Sequence, residues 1–205
     1  MFAAEKKVIL ASASPRRRQF FTDLGISFSI LVSGFEEKHI PGERPEEYVE
    51  RNARQKAVSA CQLCSSVERE GVVVGADTIV VSPEGHILEK PRDVEDAYRM
   101  LRLLSGRKHR VLSGFAIIDA SSTRVLHSAV VQTAVSFRRI EEAEIRAYVA
   151  TGEPLDKAGG YGIQGRAAVF VDTVEGSYTN VVGLPLCEIV DALKVHAGLR
   201  LFSHR

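Results

Sequence analysis

The stretch GVVVGADTIVV, residues 71–81, decides the fold. Val72–Val74 and Ile79–Val81 are β-branched runs, the residue types that fit a pleated and buried surface. Between them, Gly75 and Ala76 leave the backbone open, and Asp77 interrupts what would otherwise be one continuous buried strand. An unpaired buried carboxylate costs several kcal/mol, so a fold keeps one only if it is paired, metal-bound or protonated. Asp77 is either a strand-ending residue that caps a turn, or a general base or metal ligand; the second reading is preferred.

Outward from this stretch, strand and helix patterns alternate along the chain. Val111–Asp119, Val125–Phe137 and Ala167–Val174 read as strands, and Val8–Leu10 as the end of a buried one. Pro83-Glu84-Gly85 and Glu175-Gly176-Ser177 read as turns. Asp93 caps a helix over Val94–Leu104 whose Ala97, Met100, Leu101 and Leu104 form one apolar stripe, with Gly106 at its stop. Further helices are expected from about Glu141 to Ala150 and from about Leu186 to Leu193. Long antiparallel-looking strands mixed with helices predict an α/β protein around a mixed sheet. The last dozen residues carry little pattern and are expected to fray.

The totals narrow the class of protein. A chain of 205 residues with 45% hydrophobic and 26% charged residues can bury a real core, as one large domain or two small ones. The net charge of +1 gives no global field toward nucleic acid. Three cysteines make no disulfide framework, and Cys61-Gln-Leu-Cys64 lacks the second pair of a zinc site, so these thiols read as buried helix residues in a reducing cytoplasm. Lys6-Lys7 before VILASAS imitates a secretory signal, but the apolar run Val8–Leu10 is far shorter than such a segment needs. No stretch reaches the ~18 apolar residues of a membrane helix.

Two places in particular hold charge where it needs a partner. In ILASASPRRRQFF, residues 9–21, Ser14 suits an N-cap and Pro15 the first helical position, which puts Arg16, Arg17 and Arg18 in the first turn. The helix dipole disfavours cations there by roughly 0.3–1 kcal/mol each, so an anion is expected nearby. On the helix from Pro45 to about Cys64, Val49, Ala53, Ala60 and Cys64 share a face with Lys56 in its middle, whereas Arg51 and Arg54 point elsewhere. Lys56 either snorkels to solvent or aims its ammonium at an anion in a cleft. Glu36-Glu37 and Lys90-Pro91-Arg92 sit in loops, where adjacent charges are usually solvated. Arg107-Lys108-His109-Arg110 is basic but has no interleaved aromatics, a weak pattern for nucleic acid.

DKAGGYGIQG, residues 156–165, contains a literal GxGxxG at Gly160, Gly162 and Gly165. A dinucleotide-binding turn must follow a strand and open a helix, and here a polar segment precedes and the strand-like AAVFV follows. The Rossmann reading is rejected. What remains is a loop that a ligand could approach closely, with Lys157 and Gln164 as polar contacts. Neither GxxxxGK(S/T), HExxH nor GxSxG occurs, which removes the commonest ATPase, zinc-protease and serine-hydrolase explanations. Cations at Arg16, Arg17, Lys56 and Lys90 with carboxylates at Glu36, Glu37 and Asp77 suit a polyphosphate and a divalent metal, and so metal-assisted hydrolysis at phosphorus.

Six blocks in order resemble the Maf family: SxSPRR at Ser12–Arg17, GADT at Gly75–Thr78, EKPRD at Glu89–Asp93, LSGR at Leu104–Arg107, DKAGxYGIQG at Asp156–Gly165 and GSYxxVVGLP at Gly176–Pro185. The resemblance implies an elongated mixed β-sheet flanked by helices, similar to inosine triphosphate pyrophosphatase, with one domain over 1–194 and a tail at 195–205. It implies a cytoplasmic, commonly dimeric nucleoside triphosphate pyrophosphatase using Mg²⁺ or Mn²⁺, without nucleic-acid or membrane partners. Carried onto this chain, Asp77 would activate water and touch the metal, and Glu37, with Glu36 beside it, would complete the metal site. Ser12, Arg17, Lys56 and Lys90 would hold the triphosphate, and Arg16, Thr78 and Gln164 would set specificity, with dTTP and UTP the implied substrates. A binding protein that regulates septum formation without turnover is the competing expectation.

Overall fold

The structure is a computed structural model that describes residues 2–32 and 34–202. In chain order its elements are β1 (Val8–Ala11), α1 (Pro15–Asp23), β2 (Ser29–Ile30), α2 (Pro45–Cys61), β3 (Val72–Val81), β4 (Ile87–Leu88), α3 (Val94–Leu104), β5 (Lys108–Asp119), β6 (Val125–Phe137), α4 (Glu142–Val149), β7 (Val171–Glu175), α5 (Tyr178–Val182) and α6 (Leu186–Ala197). The expected mixed sheet is present. Its strand order is β2-β1-β3-β5-β6-β7, with β4 beside β3. β1 pairs in parallel with β2 and β3, while β3–β4 and β6–β7 are antiparallel.

β3 runs unbroken through Asp77, so this carboxylate does not end the strand. The β-branched residues on both sides carry the ladder, and the cost of the buried charge is met by side-chain partners described below.

The chain divides into two compact units. The first comprises residues 1–77, 113–130 and 183–205. Its core packs the small face of α2 (Ala57, Ala60, Cys61) against Ile9 and Ala11 of β1, Val73 of β3, and Ala116 and Ile118 of β5. Two glycines let α2 lie this close. A Cβ on Gly75 would stand 2.2 Å from the Ala53 carbonyl oxygen, and one on Gly114 would stand 2.4 Å from that of Val49. Both are contacts no real side chain tolerates, so the sheet surface is bare where the helix backbone crosses it.

The second unit comprises residues 78–112 and 131–182. Here the apolar stripe of α3 (Ala97, Met100, Leu101, Leu104) packs with Ile145, Tyr148 and Val149 of α4 and with Phe137, Tyr161 and Phe170. Asp93 caps α3 as expected, its side chain accepting from the Asp96 amide.

Three local expectations are corrected. Ser14 is the N-cap residue of α1 but makes no side-chain capping bond; its own amide donates to Ser12 Oγ at 3.2 Å. Residues 166–170 form a 3₁₀ turn rather than strand, and pairing starts only at Val171. Apolar AAVFV cannot distinguish the two by periodicity, and Ala167 and Phe170, three apart, are the buried pair. The chain end does not fray at 195: α6 continues to Ala197, Gly198 closes it with φ 63°, and Ala3 pairs with Arg200. Residues 203–205 of the expected tail lie outside the described residues.

Candidate functional site

The first unit gathers six of the residues singled out from the sequence: Ser12, Arg16, Arg17, Glu37, Lys56 and Asp77. Lys56 is at the centre. Its Nζ lies 2.7 Å from Asp77 Oδ1 and 2.6 Å from Glu37 Oε1. The lysine side chain is 17% exposed and that of Asp77 6%, so this is an ion pair largely withdrawn from water. The snorkelling alternative for Lys56 is thereby excluded, because the ammonium meets two carboxylates instead of solvent. Asp77 also accepts from Asn52 Nδ2 through Oδ2, at 3.2 Å. Each carboxylate oxygen of Asp77 thus has a donor, as a buried anion requires.

Asn52 is a residue the sequence reading missed. It is fully buried, one helical turn before Lys56, and its Oδ1 has no hydrogen-bond partner. The signal was available: positions 49, 52, 53, 56 and 60 fall on one helical face, and Asn52 and Lys56 are its polar members.

Arg17 is buried and used internally. Its Nε donates to the Gly183 carbonyl and its Nη1 to the Ala76 carbonyl, both at 2.7 Å, with a longer contact from Nη1 to Ser12 Oγ at 3.4 Å. Burial lowers its pKa, opposed by attraction to Asp77, and the guanidinium stays charged. Arg16 is half-buried and adds repulsion, while Arg18 is exposed, as a solvated third arginine should be. The negative charges near this helix start are Asp77 and Glu37, both felt by Arg17.

Two hard carboxylates converge on one point at Lys56 Nζ, and oxygen donors of this type suit Mg²⁺ or Mn²⁺. Among the described residues no three His, Cys, Asp or Glu side chains cluster as a complete metal cage. This pattern fits an ion held by one or two carboxylates together with substrate phosphates, and Glu37 and Asp77 are the residues that would hold it. Glu36 pairs with Lys38 in solvent instead.

The second unit holds Thr78, half-buried in β3, and the exposed Lys90 and Gln164. Within it, the amide of Gly159 donates to the Glu89 carbonyl at 3.0 Å, which ties the glycine-rich loop to the segment carrying Lys90. Space beside two of the loop glycines is taken by protein: Lys157 lies against Gly162 and Glu153 against Gly165. Lys157 itself pairs with Asp156 at 2.6 Å.

The other sequence features resolve as structure. Cys61 and Cys64 are free, buried thiols, and burial pushes Cys61 up to about 11, leaving it unreactive at neutral pH. The basic run 107–110 is split by strand alternation. Arg107 and Lys108 pair with Glu84 and Glu175, whereas His109 turns inward to the Tyr161 hydroxyl at 2.8 Å.

An α/β protein with a half-desolvated carboxylate–lysine–carboxylate cluster is the class that fold and site define. The Maf-like protein family matches residues 7–196, and the chain belongs to that family. It is 49% identical to the dTTP/UTP pyrophosphatase of Geotalea uraniireducens over 95% of this chain and 97% of that protein. It is 50% identical to the protein of the same name from Geobacter sp. strain M21, over 94% and 96%, and 49% identical to that of Vibrio cholerae, over 89% and 94%. Among solved structures, the nucleoside-triphosphatase / dITP/XTP pyrophosphatase of Mycobacterium abscessus is similar at 14% identity and a TM-score of 0.43, over 92% of this chain and 93% of that one.

Proposed function

We propose that this protein hydrolyses dTTP and UTP to the nucleoside monophosphate and pyrophosphate. The observation that carries the reading is the Lys56 ammonium held between Glu37 and Asp77. The extensive identity to proteins named dTTP/UTP pyrophosphatase supports the substrate class.

Asp77 accepts a proton from water as the water oxygen attacks the α-phosphorus, and the anhydride oxygen leaves with pyrophosphate. Asn52 and Lys56 each bond one Asp77 oxygen and hold the carboxylate in a single orientation. A carboxylate has about four acceptor sites, so both bonds can coexist with an approaching water. Lys56 and the Arg17 charge, with Ser12 and Lys90, bind the phosphates; Arg16, Thr78 and Gln164 contribute to choice of base. Glu37 and Asp77 would hold Mg²⁺ or Mn²⁺, which would supply charge neutralisation on the phosphates. Residues 1–194 serve as one catalytic domain of a cytoplasmic homodimer. Among the described residues no helix is long and apolar enough to cross a membrane.

The test is pyrophosphate release from dTTP, UTP, CTP, GTP, 7-methyl-GTP and ITP with Mg²⁺ or Mn²⁺, beside Asp77→Asn. Release from dTTP and UTP that vanishes in Asp77→Asn is expected. Release from another base would keep the chemistry and overturn the specificity. No release from any nucleotide by folded protein would favour binding without turnover.

A further inference from the structure

Glu37 stands in the segment 34–44, in which the described residues form neither helix nor strand and are mostly exposed. Such a segment has few contacts of its own with which to hold a carboxylate still. The contacts that hold it come from α2. Arg51 forms a two-pronged ion pair with Glu43, Nε to Oε1 at 2.7 Å and Nη2 to Oε2 at 2.8 Å. The same Nη2 donates to the Lys38 carbonyl at 2.8 Å, using its second hydrogen. The guanidinium lies over the Tyr48 ring, 5.4 Å from its centroid. His39 stacks on that ring at 4.5 Å and 11°. Lys38 and His39 are the two residues directly after Glu37.

We propose that Arg51 is a positioning residue: it docks the segment carrying Glu37 onto α2 and so sets the Glu37 carboxylate in its place at Lys56. The inference rests on the reading of Glu37 as a ligand for a divalent cation. Arg51 acts through Lys38 and Glu43, not on substrate. The planar fork matters, because an ammonium cannot bond both Glu43 oxygens and the Lys38 carbonyl in that geometry.

The experiment uses the full chain as Arg51→Ala and Arg51→Lys, with Glu37→Gln as reference. Two quantities are read without nucleotide: Mn²⁺ affinity by calorimetry, and amide hydrogen exchange across residues 35–44. Circular dichroism establishes folding; if Arg51→Ala does not fold, Arg51→Lys decides. Expected are faster exchange in the segment and a fall in Mn²⁺ affinity of about ten-fold, the size typical of lost outer-shell support. If either quantity is unchanged in the folded variants, the inference is overturned. Wild-type Mn²⁺ affinity in Glu37→Gln would overturn the ligand reading and this inference with it. Affinity that depends on both Glu37 and Arg51, in a wild-type protein that releases no pyrophosphate, would support the inference and overturn only the proposed activity.

Discussion

Arg17 Nη1 donates a 2.7 Å hydrogen bond to the carbonyl of Ala76, the residue immediately before Asp77. This cation fastens the strand segment that presents the carboxylate. With the Gly183 carbonyl as its second acceptor, Arg17 joins α1, β3 and the start of the segment leading into α6. Removing it leaves two buried carbonyls without this donor. Each such loss costs about 1–3 kcal/mol, so Arg17→Ala should lower unfolding free energy by about 2–6 kcal/mol. Arg17→Lys should recover little of it, since one ammonium cannot reproduce the two directions of a guanidinium. Urea titrations of the three proteins measure this; an Arg17→Ala midpoint equal to wild type would refute it.

Lys56→Ala tests the centre of the cluster. It removes the cation shared by Glu37 and Asp77 and leaves two carboxylates facing each other. Preorganised charge in a partly water-excluded site is worth roughly 10²–10³ in rate, so kcat for pyrophosphate release should fall by about that factor. A fully active Lys56→Ala enzyme would show the lysine to be structural.

Gly75→Ala tests the approach of α2 to the sheet. The new Cβ would meet the Ala53 carbonyl oxygen at 2.2 Å, a backbone atom that cannot swing aside. The helix must shift, at a cost of about 3 kcal/mol. Because Asn52 and Lys56 ride on that helix, activity should fall in the protein that still folds. Thermal melts and turnover on the same samples give both quantities.

His109 makes stability depend on pH. Burial lowers its pKa from 6.5 to about 4. The folded imidazole is therefore neutral where the unfolded one binds a proton, and the sign follows: stability is full above pH 6.5 and is lost as pH falls toward 4. The shift corresponds to about 3 kcal/mol at its limit. Denaturant midpoints of wild type between pH 7 and pH 4 should fall more steeply than those of His109→Gln. Parallel slopes would remove His109 as the cause.

The sequence alone was enough for the mixed sheet, the β-branched runs at 72–74 and 79–81, the strand at 125–137, the capped helix after Asp93, and the suspicion that Asp77 and Lys56 were charges in need of partners. These are local or periodic properties: β-branched runs, a 3.6-residue stripe, a cap before it, and the cost of a carboxylate in an apolar strand. Tertiary structure alone decided which charges meet. That Lys56 falls between Glu37 and Asp77, 19 positions after one and 21 before the other, follows from a helix backbone crossing bare glycine on β3 and β5. That Asn52 reaches Asp77 follows from the same packing, and from α1 Arg17 turns inward to the Ala76 and Gly183 carbonyls. Periodicity assigns a face to a side chain, but the partner on that face comes from distant segments, and only the packed core brings them within hydrogen-bond distance.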